Sequence, residues 1–253
     1  MYDNKLTEIE LPSNVIICNV ALNHITHIVG NVFSSSLVEF YCNHNNLTTL
    51  PPIIYIQKLN CSYNRIKVLN VDINNVLTHI NCAYNKMITI TTNKLSSVVE
   101  LDCNNNKLTK LPQLSKKLNH LNCSNNKITS LESSLLNTFG IFKLNCSHNK
   151  LTSLDLFGKI IYNLLNCSHN DITYLRLGRI NECNAQIINV SYTKIKDNLL
   201  IPSSVKYINI KRTNIKTLIF KADSISLNTL IHSKANNITN KYMVGKIQDT
   251  TRT

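Results

Sequence analysis

The sequence predicts an α/β-type repeat solenoid that is mostly β: about ten short parallel strands stacked into one sheet and joined by tight turns and irregular or 3₁₀ returns. Three observations predict it. A pattern centred on cysteine recurs about every 21 residues. Apolar residues stand at fixed offsets around each centre. An Asn follows each centre at a constant distance.

Position 0 is Cys42, Cys61, Cys82, Cys103, Cys123, Cys146 and Cys167. Position −5 holds Leu37, Ile56, Leu77, Val98, Leu118, Ile141 and Tyr162, and position −2 holds Phe40, Leu59, Ile80, Leu101, Leu121, Leu144 and Leu165. Position +3 is always Asn: Asn45, Asn64, Asn85, Asn106, Asn126, Asn149 and Asn170. Position +5 is Leu47, Ile66, Met87, Leu108, Ile128, Leu151 and Ile172, and +8 is Leu50, Leu69, Ile90, Leu111, Leu131, Leu154 and Leu175. Val20 centres an earlier repeat with Val15, Cys18, Asn23, Ile25 and Ile28; Val190 and Ile210 centre two later ones, where Thr193 and Thr213 replace the Asn. Asn4, Leu6 and Ile9 fit the tail of a further repeat. From Val20 to Ile210, nine intervals span 190 residues.

Apolar residues at −2 and 0 separated by one polar residue have the period of a short strand. Such a strand cannot bury its face alone; stacking gives a continuous core of Leu, Ile and Cys. The Asn at +3 stands where the chain must turn, and its amide can satisfy backbone groups of its own and the neighbouring turn. This makes Asn23, Asn45, Asn64, Asn85, Asn106, Asn126, Asn149 and Asn170 a structural ladder. Thr has a hydroxyl and no amide, so the repeats of Thr193 and Thr213 should be less regular. The returns are short and carry Pro51-Pro52, Pro112 and Pro202, so extended or 3₁₀ geometry is expected. The longer return Glu132–Phe139 is the candidate exception that could be helical. The solenoid is expected over 1–221. A degenerate cap and polar tail follow over 222–253, with Ile225, Leu227, Leu230 and Ile231 closing the end and a polar tail from Ser233.

These motifs resemble the leucine-rich-repeat family, whose consensus L-x-x-L-x-L-x-x-N/C-x-L is matched with Cys in the third Leu place. The resemblance covers residues 1 to about 221. The short period and stretches such as Lys107-Leu108-Thr109-Lys110-Leu111-Pro112 look most like the bacterial-effector type of repeat. It implies a curved horseshoe with the parallel sheet on the concave side and the returns on the convex side. It also implies a non-catalytic module that recognises proteins through its concave face, as an intracellular adaptor or effector.

Composition narrows the alternatives. Hydrophobic residues are 43% and charged residues 16%, which suits a packed core and argues against disorder. Asn occurs 39 times, and the bias toward Asn, Ile and Lys suits an AT-rich genome, as in some amoebae and large DNA viruses. Net charge is +13, spread unevenly: 16 Lys/Arg against 10 Asp/Glu over 1–180, and 11 against 4 over 181–253. No basic start leads into an apolar run, and no apolar stretch is long enough for a membrane span, so an intracellular, cytoplasmic protein is expected; a monomer is expected as well. Nine Cys, an odd number, are expected reduced.

Seven of those nine occupy one ladder position, and without a Cys-x-x-Cys pair they read as core rather than as metal ligands. Strand spacing would bring neighbouring ladder cysteines within disulfide range, though their inward direction argues against bonding. Cys146-Ser147-His148-Asn149 and Cys167-Ser168-His169-Asn170 suggest a nucleophile and base, but the same frame elsewhere holds Tyr63, Tyr84 or Asn125 in place of His. His24 and His27 have no partner motif. No catalytic, metal or cofactor site is therefore expected.

Positions −3, −1 and +1 are expected to point away from the core. The −1 row is mostly Asn, and the −3 row mixes Glu39, Lys58, His79, Glu100, His120 and Lys143. The candidate partner-binding residues are Tyr41 and, at +2, His44, Tyr63, Tyr84, His148, His169, Tyr192 and Arg212, side chains suited to recognition. The alternative is binding of nucleic acid or an acidic membrane surface through Lys194, Lys196, Lys206, Lys211, Arg212, Lys216 and Lys221.

Overall fold

The computed structural model describes residues 4–10, 14–29, 36–71, 76–92, 94–177, 184–220, 227–232 and 248–249. It is a parallel β solenoid, and the described residues include no helix. Packing divides it into two compact units, residues 1–128 with 133–137 and residues 129–132 with 138–253.

In the N-terminal unit the ladder strands are Ile17–Asn19, Glu39–Tyr41, Lys58–Asn60, His79–Asn81, Glu100–Asp102 and His120–Asn122. Each pairs in parallel, residue for residue, with the next. In the C-terminal unit they are Gly140–Asn145, Ile160–Asn166, Ile187–Asn189 and Tyr207–Asn209, and the parallel pairing continues through Thr229–Ile231 and Gln248–Asp249. Most strands occupy only positions −3 to −1, so a single residue, at −2, points inward from each. Position 0 lies just past the strand and is buried as well: Cys42, Cys61, Cys82, Cys103, Cys123, Cys146 and Cys167 are all fully enclosed. The +5 residues Leu47, Ile66, Met87, Leu108, Ile128, Leu151 and Ile172 complete the core.

The returns take the extended geometry, and 3₁₀ turns are absent among the described residues. Several pair as short parallel strands of their own: Glu8–Glu10 with His27–Val29, Val68–Asn70 with Thr89–Thr91, Ser153–Asp155 with Tyr174–Arg176, and Lys196–Ile201 with Asn214–Phe220. A return of about ten residues must cover the core's width, and extended chain covers more distance per residue than helix. The longer return is not helical either: residues 132–137 form consecutive turns, pinned where the Ser134 hydroxyl donates to the Leu111 carbonyl at 2.9 Å.

One repeat departs from the expected alignment. Tyr162, expected inward at −5, is exposed, and Ile161 takes its place opposite Ile141. The pairing shifts by one residue between Ile141 and Lys143, a bulge that turns Tyr162 outward. Its ring covers Gly140, where an added Cβ would lie 2.7 Å from the Tyr162 Cε2.

At the C-terminal end Leu227 and Leu230 are buried. Ile225, Lys221, and the tail from Ser233 apart from Gln248–Asp249 lie outside the described residues. No helix among the described residues is long and apolar enough to cross a membrane.

Candidate functional site

The ladder Asn residues fix the geometry of the exposed turn. Asn64 donates from Nδ2 to the carbonyl of Cys61 in its own repeat at 3.1 Å and to that of Cys42 in the preceding repeat at 2.9 Å. Its Oδ1 accepts from the N–H of Leu47 in the preceding repeat at 2.9 Å. Asn45, Asn85, Asn106, Asn126 and Asn170 repeat this arrangement with their own neighbours. Asn23 accepts from the Leu6 N–H, and Asn149 donates to the carbonyls of Cys146 and Ser147. The amide thus ties each turn to the one before it. Thr193 and Thr213 donate to Val190 and Ile210 in their own repeats at 2.7 and 2.8 Å. A hydroxyl has one proton, so it cannot bond both carbonyls at once.

This turn forces the +2 residue into the left-handed region. Leu22, His44, Tyr63, Tyr84, Asn105, Asn125, His148, His169, Tyr192 and Arg212 all have φ between 52° and 58°. Asn tolerates that region; bulky L residues do not favour it. The left-handed residue swings its side chain outward while its N–H stays in the ladder: Tyr63 donates to the Ala83 carbonyl at 2.9 Å and His169 to that of Ser191 at 3.0 Å. Identical geometry at successive repeats stacks the rings. In the N-terminal unit His44 lies 4.2 Å from Tyr63, and Tyr63 4.3 Å from Tyr84, centroid to centroid and nearly parallel. In the C-terminal unit His148 lies 4.0 Å from His169, and His169 4.2 Å from Tyr192. Desolvation, then the charge of His148, holds the His169 imidazole below its ordinary pKa.

Of the expected partner-binding residues, the structure therefore gathers three into each of two ring stacks. Arg212 is exposed on the same row. Tyr41 stands apart on the strand, its hydroxyl donating to Glu39 Oε2 at 2.7 Å; that bond raises the tyrosine's pKa.

One expectation about the outward rows needs correction. Position +1 is buried in most repeats, not exposed: Ser62, Ser124, Ser147, Ser168 and Ser191 are each about 5% accessible, while Asn43 and Lys211 are half-buried. The −1 Asn explains it. Asn60 Oδ1 accepts from the Ser62 N–H at 3.2 Å and from its hydroxyl at 2.8 Å, and Asn122, Asn145, Asn166 and Asn189 do the same in their repeats. The −1 amides are engaged in turn formation, which reduces what they can offer a partner.

The −3 row also continues beyond the mixed-charge residues. Glu39, Lys58, His79, Glu100 and His120 stand side by side in the N-terminal unit, with Lys58 Nζ 2.8 Å from Glu39 and His120 3.3 Å from Glu100. The Lys58 and Tyr41 contacts hold the Glu39 carboxyl below its usual pKa. In the C-terminal unit the same row runs Lys143, Leu164, Ile187, Tyr207 and Thr229, with Leu164, Ile187 and Tyr207 half-buried. The sequence pattern held this apolar stripe, but it shows only when the row is followed past Lys143.

The cysteines face away from this surface. All eight described cysteines are buried thiols outside any disulfide, and burial pushes the thiols of Cys123 and Cys167 up to about 12. Cys167 points into the core and His169 out of the turn, so the two do not converge as nucleophile and base. Among the described residues no three His, Cys, Asp or Glu side chains cluster as metal ligands would.

No protein-family model matches the chain, and no curated protein matches it. Solved structures do. The functional domain of InlJ from Listeria monocytogenes, described as including a cysteine ladder, is 25% identical with a TM-score of 0.73, over 90% of this chain and 50% of that one. YopM from Yersinia enterocolitica WA-314 is 21% identical with a TM-score of 0.56, over 88% of this chain and 56% of that one. The LRIM1/APL1C complex supplies a match at 18% identity and a TM-score of 0.69, over 89% of this chain and 43% of that one. The chain thus spans about half the length of these proteins.

Proposed function

Since this chain is a leucine-rich-repeat protein, we propose that it is a non-catalytic binding module that recognises another protein through its strand face and the +2 row beside it. The observation that carries this reading is the +2 row. Six of its ten residues are Tyr or His, and the three Tyr stand in a left-handed conformation that disfavours bulky side chains. Asn105 and Asn125 are the less strained choice at the same place. Tyr63, Tyr84 and Tyr192 nevertheless remain 44–45% accessible, large amphipathic surfaces already ordered by stacking. Rings fixed before binding lose little entropy when a partner covers them.

The apolar stripe Leu164, Ile187 and Tyr207 adds the uncharged centre that protein interfaces favour. A structural neighbour solved within a protein–protein complex lends further support to a protein partner. We place the module inside the cell, where free buried thiols persist, as an adaptor or effector acting as a monomer. The basic C-terminal repeats support nucleic-acid binding less well, because Lys194 is already paired with Asp171 at 2.7 Å.

The test is affinity capture with the wild-type chain beside a Tyr63→Ala, Tyr84→Ala, His148→Ala, His169→Ala variant. Circular dichroism checks that both are folded. A protein retained through high salt and nuclease, and lost with the variant, is the expected result. Retention of the same partner by the folded variant would refute the reading.

A further inference from the structure

Position +4 carries a row of cations in the N-terminal unit. After Asn46 come Arg65, Lys86, Lys107 and Lys127, all exposed. Their backbone N–H groups donate to the preceding repeat's +5 carbonyls: Arg65 to Leu47 at 2.8 Å, Lys86 to Ile66 at 3.0 Å, Lys107 to Met87 at 2.8 Å and Lys127 to Leu108 at 2.8 Å. The four are therefore held in one register, successive Cα atoms about 5 Å apart and the row roughly 14 Å long. That backbone spacing is shorter than a Debye length at physiological salt, about 8 Å, so the like charges the row carries repel. Elsewhere in this unit unlike charges are set together, Glu39 with Lys58 and Glu100 with His120. Among the described residues no ion pair neutralises any of the four +4 cations.

From this row we infer that the N-terminal unit binds an Asp/Glu-rich polypeptide segment laid along Arg65, Lys86, Lys107 and Lys127. The neighbouring +2 row decides between polyanions. A single-stranded nucleic acid needs free ring faces on which its bases stack. The central faces of His44, Tyr63 and Tyr84 are already occupied by one another, at 4.2 and 4.3 Å. What Tyr63 and Tyr84 still offer is their exposed edges, which suit carboxylates. The inference stands on the +4 row and draws on the ring stacks only for the choice of a polypeptide over a nucleic acid.

The test uses the full chain and two fluorescent probes, a glutamate decapeptide and an oligothymidylate, with anisotropy read at low and high salt. One variant combines Lys86→Gln, Lys107→Gln and Lys127→Gln; a control of equal net charge combines Lys196→Gln, Lys206→Gln and Lys211→Gln. Circular dichroism verifies that both fold. The peptide is expected to bind at low salt, to weaken about tenfold in the first variant, and to change less than about twofold in the control. Absence of peptide binding, or equal weakening in both variants, would overturn the inference. So would tighter binding of the oligothymidylate that the first variant abolishes, which would assign the row to nucleic acid. Capture through the ring stacks is scored with other variants, so either reading can fail alone.

Discussion

The two units share one scaffold and differ in what they present and in how their turns are tied. On the strand face, the −3 row of the N-terminal unit alternates charge, Glu39, Lys58, His79, Glu100 and His120, whereas in the C-terminal unit Leu164, Ile187 and Tyr207 make it apolar. At the turns, Asn45, Asn64, Asn85, Asn106 and Asn126 bind each repeat of the first unit to its predecessor, whereas the second keeps Asn149 and Asn170 and then changes to Thr193 and Thr213. The difference teaches that the inward positions and the +3 amide carry the fold, leaving the outward rows free to differ between the units.

Thiol chemistry breaks the comparison most visibly. Thiols held as high as about 12 and fully enclosed should resist alkylation at mildly alkaline pH by several orders of magnitude relative to the unfolded chain. Mass spectrometry across a urea series should then show Cys167 labelled at lower urea than Cys61 or Cys82, because the Cys167 repeat, itself tied by Asn170, borders the Thr-tied repeats, which open first. Simultaneous labelling of all ladder cysteines would erase the distinction between the units.

Substitution at +3 sharpens the same contrast. Asn64→Ala removes bonds to Cys42, Cys61 and Leu47, leaving buried backbone groups unpaired, and should cost about 3 kcal/mol in urea unfolding. Thr193→Ala removes one bond, to Val190, and should cost about 1 kcal/mol. Thr193→Asn should stabilise by a similar small amount if the cross-repeat bonds form. Equal costs at the two positions would mean that the amide's reach to the preceding repeat contributes nothing.

On the ring stacks the contrast is one of pH. The His169 pKa is lowered, first by desolvation and then by His148, so the folded state favours the neutral ring. A base with a depressed folded pKa contributes against stability only once the unfolded ring begins to protonate. Stability of the C-terminal unit should therefore fall as pH drops below the ordinary histidine value, about 6.5. NMR titration of His148→Asn should move the His169 midpoint upward, toward that value; an unmoved midpoint would remove the charge of His148 as a cause.

Smaller effects are expected on the surface. The partly exposed Glu39–Lys58 pair should show only a weak coupling in a double-mutant cycle, small beside the loss at Asn64, and one that added salt screens further. Gly140→Ala meets only the far end of the Tyr162 ring, which can swing away, so its unfolding midpoint should shift by no more than about 1 kcal/mol equivalent.

The sequence by itself determined the repeat, its register and the core, because stacked copies must place the same residue type at the same depth. Phe40, Cys42, Asn45 and Leu47 are buried as their spacing requires. Tertiary structure decided what lies beyond the strand's three residues. Alternation fails at +1, where Ser62 turns inward onto Asn60, because the chain has left the strand for an Asx turn followed by a left-handed residue. It fails again at Tyr162, where one inserted residue exchanges it with Ile161. The stacking of His44 on Tyr63, and of His148 on His169, is likewise a product of assembly. It needs two turns of the solenoid about 5 Å apart, a distance set by the ladder of hydrogen bonds between repeats.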